Sequence, residues 1–216
     1  VYMAVLPWLV SARKNRDESA LIRLHGQAVV FVVLVCTVGA FAMALCAQGL
    51  AVIFFGYGEM TAHDIVAIGG NFTIGIFALP IMVLAILLQS MLYAADNARL
   101  VFTASLLQAL CSGLFSTIGL AQWQLPGVMA AFVLTQAVPL FILLPACFRL
   151  AILPRSCIFT VLLSLAASLV VFTPLALWQM EQAFSPFAAI ACASAIGGVS
   201  LLAGGATLRL RGKRYV

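Results

Sequence analysis

The lysines and arginines of this chain stand in four places. Arg13, Lys14, Arg16 and Arg23 come first, Arg99 follows, then Arg149 and Arg155, and last Arg209, Arg211, Lys213 and Arg214; these are all eleven. Between them the sequence is apolar. Of the 216 residues, 65% are hydrophobic and 8% charged, whereas a soluble domain carries about 25% charged residues. No soluble fold of this size could keep so much apolar surface from water, and a bilayer does not ask it to. A spanning helix takes about 20 apolar residues. The pattern predicts an all-α membrane protein, a polytopic bundle of about six transmembrane helices: Gln27 to Phe55, Ala62 to Ala95, Ala98 to Ala121, Pro126 to Phe148, Cys157 to Trp178 and Pro186 to Leu208.

With the spans drawn so, every basic residue falls on one side of the membrane. The opposite loops hold Glu59, Asp64 and Glu181 and no basic residue. Excess Lys and Arg marks the cytoplasmic side, so the basic loops and the C-terminus are expected in the cytoplasm. Adding or dropping one span would scatter the basic residues over both faces. The net charge of +5 is then accounted for by topology and by anionic lipid headgroups, and nucleic acid is not needed as a partner.

Residues 1–24 read as the end of a preceding helix plus a basic cytoplasmic connection, and 25–216 as the six-helix lobe. The opening Val1 to Val10 is apolar with basic residues after it, the reverse of a signal peptide's order. It suggests the C-terminal part of a longer protein. The segment Asn15 to Leu24 could form a short amphipathic helix on the membrane surface. The second span is long enough to need tilt or a kink, for which Pro80 is a ready cause. Thr61-Ala62-His63-Asp64 has capping-box spacing at its start. Trp8, Trp123 and Trp178 fall at span ends, as interfacial aromatics do.

The six cysteines, Cys36, Cys46, Cys111, Cys147, Cys157 and Cys192, are scattered through apolar runs without C-x-x-C spacing, so neither a metal nor a disulfide is assigned. The spans contain serines but no base to activate them, and no glycine-rich phosphate loop is present. No catalytic residue, metal or cofactor is proposed, and enzyme chemistry is not expected.

None of the spans has a charge in its middle, where one costs at least about 2.5–3.5 kcal/mol on insertion scales. Neutral polar residues are present and ordered. Ser105, Gln108, Ser112 and Ser116 lie on one stripe of the third span at 3.6 residues per turn. Cys157, Thr160, Ser164 and Ser168 do the same in the fifth. Asn71 and Gln89 are eighteen residues apart, five whole turns and so on one face of the second span. Gln136 stands alone in the fourth. Helix packing explains the serine stripes most simply, since small and polar residues gather at helix contacts in membranes. Asn71, Gln89, Gln108 and Gln136 are the candidates for lining a polar cavity.

Two stretches carry a resemblance. Phe55-Gly56-Tyr57-Gly58-Glu59-Met60-Thr61-Ala62-His63-Asp64 resembles the Phe-Gly-Arg-Gly-x-Phe-Thr-x-x-Asp loop of the MurJ/MviN family of lipid II flippases, with Tyr57 in place of the arginine. Leu79-Pro80 followed by Leu92-Tyr93-Ala94-Ala95-Asp96-Asn97-Ala98-Arg99 is similar to that family's Leu-Pro and its Phe-Tyr-Ala-x-x-Asp-Thr-Arg, with Ile86 where many members carry a lysine. Val5-Leu6-Pro7-Trp8-Leu9 is similar to the end of the helix before this region. The resemblance covers about Val1 to Leu150. It implies the second lobe of a MATE-like flippase in a bacterial inner membrane. The partners it implies are a lipid-linked glycan, the membrane lipids and an N-terminal lobe of the same protein. It also implies a cytoplasmic loop motif at Asp96, Asn97 and Arg99. The function expected is flipping of a lipid-linked oligosaccharide of the peptidoglycan precursor type by alternating access. Rival readings are a multidrug or cation antiporter of related fold, an O-antigen type polysaccharide flippase, and a non-transporting scaffold subunit.

Overall fold

The structure, a computed structural model, describes residues 18–57 and 59–153. These form six helices: α1 Glu18–Leu45, α2 Ala47–Phe55, α3 Ala62–Gly75, α4 Ala78–Ala94, α5 Ala98–Ala137 and α6 Leu140–Arg149. There is no strand among the described residues. The fifth and sixth predicted spans and the segment 1–17 lie outside them.

Among the described residues, three stretches are long and apolar enough to cross a membrane: Gly26–Leu45, Ala62–Ala94 and Ala98–Arg149. The third is 52 residues long. As one straight helix it would reach about 78 Å at 1.5 Å per residue, more than twice the hydrocarbon thickness of a bilayer, about 30 Å. It does not run straight. Gln124 takes φ 56°, ψ −137°, and the chain reverses there. Gly119 and Gly127 then meet backbone to backbone: a Cβ on either would strike the carbonyl oxygen of the other. Glycine is what permits such an approach. Pro126 stands in the first turn after the reversal, where its missing N–H costs nothing. The arms 98–123 and 125–137 are thus an antiparallel hairpin, with the reversal between the third and fourth predicted spans.

The other predicted spans are interrupted. The first, expected as Gln27 to Phe55, is kinked at Cys46, whose ψ of −2° departs from the helical value although its amide and carbonyl keep bonds to Ala42 and Leu50. Its helix also begins earlier, at Glu18, so Glu18 to Leu24 belong to the same helix as the span Gly26–Leu45. The second breaks at Ile76 and Phe77 between α3 and α4, four residues before Pro80. The proline ring crowds the carbonyl four residues back and offers that carbonyl no donor. The Ile76 oxygen instead accepts a tighter bond from the Leu79 amide at 3.0 Å. Val138 and Pro139 interrupt the fourth span before α6 in the same way, the Val138 amide bonding back to the Thr135 carbonyl at 3.2 Å.

The capping box forms at α3. The Thr61 hydroxyl accepts from the Asp64 amide at 3.3 Å, and the Asp64 carboxylate accepts from the Thr61 amide at 3.0 Å and hydroxyl at 2.7 Å. Thr61→Ala should lower stability by about 0.5–2 kcal/mol, the usual cost of a lost cap, measured as a shift in thermal unfolding in detergent.

Packing is uneven along the bundle. One hydrophobic cluster joins Val29 and Val33 of α1, Leu88 and Leu92 of α4, Val101 and Ala104 of α5, and Leu143 and Cys147 of α6. All of these lie toward the ends marked by Arg99 and Arg149. In the other half the buried residues are small or polar: Ala47, Gly49, Ala51, Gly69, Asn71, Gly119, Gly127, Ala131 and Thr135. There α2 lies close against α3, where a Cβ on Gly69 would come within 2.9 Å of Gln48 Oε1.

Candidate functional site

Most hydroxyls in the spans spend their hydrogen bond on their own helix. Thr37 donates to the Val33 carbonyl at 2.7 Å, Thr73 to Gly69 at 2.9 Å, Ser90 to Ile86 at 2.8 Å and Thr135 to Ala131 at 2.8 Å. Back-bonding of this kind satisfies a hydroxyl without a neighbour, so these groups offer little to a solute. The side-chain amides behave differently.

Gln108 Nε2 donates to Gln136 Oε1 at 3.0 Å, across the hairpin. Gln108, Ser112, Ser116 and Gly119 share one face of the arm 98–123, being spaced by four, four and three residues. Gly119 touches Gly127 on the same face, so Ser112 and Ser116, both half-buried, lie on the side of the seam between the two arms, while Ser105 is exposed. The two glutamines are half-buried, and each keeps one half of its amide, an oxygen on Gln108 and an NH2 on Gln136, beyond their shared bond.

Asn71 is 8% exposed, and its Oδ1 is buried without a hydrogen-bond partner. Gln89 is half-buried on α4. The short turn at Ile76 and Phe77 lies between them.

The turn Tyr93 to Arg99 holds the residues of the second family-like stretch. Asp96 adopts φ 56°. The Asn97 amide bonds to the Leu92 carbonyl at 2.9 Å and the Asp96 amide to Tyr93 at 3.1 Å. Together these are a Schellman termination of α4 with Asp96 at the left-handed position usually held by glycine. Asn97 precedes α5, and its Nδ2 donates back to the Ala95 carbonyl at 2.8 Å. Asn97 thus shapes the turn, while Asp96 and Arg99 are exposed. The α6 terminus repeats the arrangement with Ala151 at φ 52° and Ile152 bonded to Cys147 at 3.0 Å. Nothing in either sequence announces it, because neither position is glycine. Asp96→Gly should leave stability unchanged to within about 1 kcal/mol, whereas Asp96→Val should cost about 1–2 kcal/mol, a branched side chain being crowded at positive φ. Unfolding of the two variants in detergent separates the backbone role from that of the carboxylate.

Among the described residues no group of three or more His, Cys, Asp or Glu side chains could hold a metal ion. Cys36, Cys46, Cys111 and Cys147 are not joined in disulfides.

Interrupted apolar helices with neutral polar groups at their seams define an α-helical, polytopic membrane protein, and broken helices of this kind are the architecture of transporters. The chain belongs to the MurJ lipid II flippase family, whose model matches residues 1–196. Its fold is similar to a solved structure described as lipid II flippase MurJ in an inward closed conformation. The TM-score is 0.73 and the identity 15%, over 94% of this chain and 42% of that one. The chain therefore spans less than half the length of that structure. A comparison with curated proteins finds no match.

Proposed function

We propose that this chain is the second lobe of a flippase that moves a lipid-linked oligosaccharide of the peptidoglycan precursor type across the bacterial inner membrane. The observation that carries this reading is membership of the MurJ family over residues 1–196. Six spans make up the lobe, with the basic loops and the C-terminus in the cytoplasm, as the distribution of Lys and Arg requires. A first lobe of the same protein completes the transporter. Alternating access needs two bundles that rock against each other, so this lobe does not transport alone.

The physical task is to carry a charged sugar headgroup through hydrocarbon, which strongly disfavours unpaired polar groups. Asn71, Gln89, Gln108 and Gln136 are the neutral polar groups this lobe contributes to the headgroup's path. Asn71 supplies an unspent acceptor, and the glutamine pair a remaining acceptor and donor. Asp96, Asn97 and Arg99 form the cytoplasmic turn that links α4 to α5 at the path's inner end.

The test is reconstitution of the full-length protein into vesicles loaded with an undecaprenyl-linked glycolipid in one leaflet. Appearance of the headgroup on the other side, read with an impermeant labelling enzyme, is the expected result. Folded protein that leaves the glycolipid where it was overturns the reading. Proton or sodium flux driven by an organic cation in the same vesicles would point to an antiporter.

A further inference from the structure

We propose that α2 and α3 move together as a hinged flap within this lobe, turning on the kink at Cys46 and the break at Ile76 and Phe77. The proposal does not depend on the substrate, and it concerns a motion inside one lobe as distinct from rocking of two lobes.

Three independent observations converge. First, the two helices are bounded at one base by a kink, where Cys46 keeps its helical bonds at a ψ of −2°, and at the other by the tight turn before Pro80. α1 gives way to α2 at Cys46, and α3 to α4 at Ile76 and Phe77. The rings of Phe41 and Phe77 meet edge to face with centroids 5.2 Å apart, and Gln48 sits against Gly69. These contacts set α1–α2 antiparallel to α3–α4. In that register Cys46 lies about a turn and a half from the second break. Bends at such interruptions are where helices absorb changes in direction.

Second, neither helix takes part in the hydrophobic cluster that ties α1, α4, α5 and α6 together. Their buried residues are small or polar, Ala47, Gly49, Ala51, Gly69 and Asn71; Gly69 packs against Gln48 within the pair, and Gly75 comes near Met129 of α5. A region with few buried apolar contacts belongs to the low-stability end of a fold.

Third, the flap's buried face carries Asn71, whose Oδ1 has no hydrogen-bond partner. It stands level with Cys46 in the same register. An orphaned buried acceptor is uncommon in a settled structure, and this one penalises the arrangement seen here relative to any in which the amide finds a donor or water. Thus the hinge, the weak interface and the unmet acceptor occur on one unit.

The experiment places spin labels, through unnatural amino acids that leave the native cysteines intact, at Phe54 on α2 and Gln122 at the tip of the α5 hairpin. Both positions are exposed, and both belong to this lobe, so rocking of lobes leaves their separation unchanged. In full-length protein in nanodiscs the distance distribution should show two populations. Pro80→Ala, which restores the amide and removes the ring that makes the second break, should deplete one of them. Asn71→Leu should shift the balance toward the arrangement described here, because leucine has no acceptor to leave unmet, and it serves where Pro80→Ala fails to fold. A single narrow distance in the unsubstituted protein overturns the flap. Two populations that neither substitution shifts overturn the assignment to these hinges.

Discussion

Gly119→Leu is expected to destroy the hairpin formed by the arms of α5, and with it the folded protein. A Cβ at this position meets the Gly127 carbonyl oxygen and carbon and comes within 3.3 Å of the Val128 amide nitrogen. All of these are backbone atoms, which cannot rotate aside as the end of a long side chain can. The arms would have to separate, and the Gln108 to Gln136 hydrogen bond at 3.0 Å lies in the seam that opens. The loss should reach or exceed the upper end of overpacking penalties, about 3 kcal/mol. Gly127→Leu should behave alike, since its Cβ would meet the Gly119 carbonyl and come within 2.9 Å of Trp123 Cβ. Gly113→Leu is the control. It is exposed on the same arm and has no atom within 4 Å of its Cβ position, so it should be tolerated. Monodispersity and thermal unfolding of the three variants in detergent give the comparison.

Leu88→Ala should be the most costly truncation in the described residues that leaves backbone and polar groups alone. Leu88 is fully buried in the cluster of α1, α4, α5 and α6. In a soluble core such a change costs 2–5 kcal/mol, part for transfer of the lost methyl groups and part for the cavity. Here the transfer part is nearly absent, because lipid is as apolar as the leucine that leaves it. The cavity part remains, so the loss should sit near the lower end, about 2 kcal/mol. Ile86→Ala on the same helix, at an exposed position, should change little. Denaturant titration in mixed micelles measures both.

These two expectations show what was readable beforehand. Proline, glycine and caps act through one or two residues of backbone, so their effects are local and legible. Pro80 marked the break before α4, the spacing of Thr61 and Asp64 marked the start of α3, and the gap between Ala121 and Pro126 marked the reversal now placed at Gln124. Where the chemistry is weaker, the pattern said nothing. Cys46 kinks the first span with no proline or glycine beside it. Asp96 and Ala151 end their helices at positive φ without the glycine that would announce it.

The candidate site was legible as a set of residue types and not as an arrangement. That Gln108 bonds to Gln136 follows from the hairpin's register, and the register is set by a contact between two glycines that periodicity does not reveal. Once the turn is placed near residue 123, positions 108 and 136 fall opposite each other and Ser112 and Ser116 fall on the side of the seam. The unmet oxygen of Asn71 had no signal at all, because an asparagine reads the same in sequence whether its partner is present or missing.

The tight reversal at Gln124 bears on how this membrane protein is made. From Leu100 to Phe148 there is no charged side chain, and the tip offers nothing more polar than Gln122 and Gln124. No charge therefore has to be carried across the bilayer when this stretch inserts. With so short a turn between its two arms, the pair is expected to insert together, with the glycine contact made early. A lesion at Gly119 or Gly127 should thus surface during biosynthesis, as a chain intercepted by quality-control proteases.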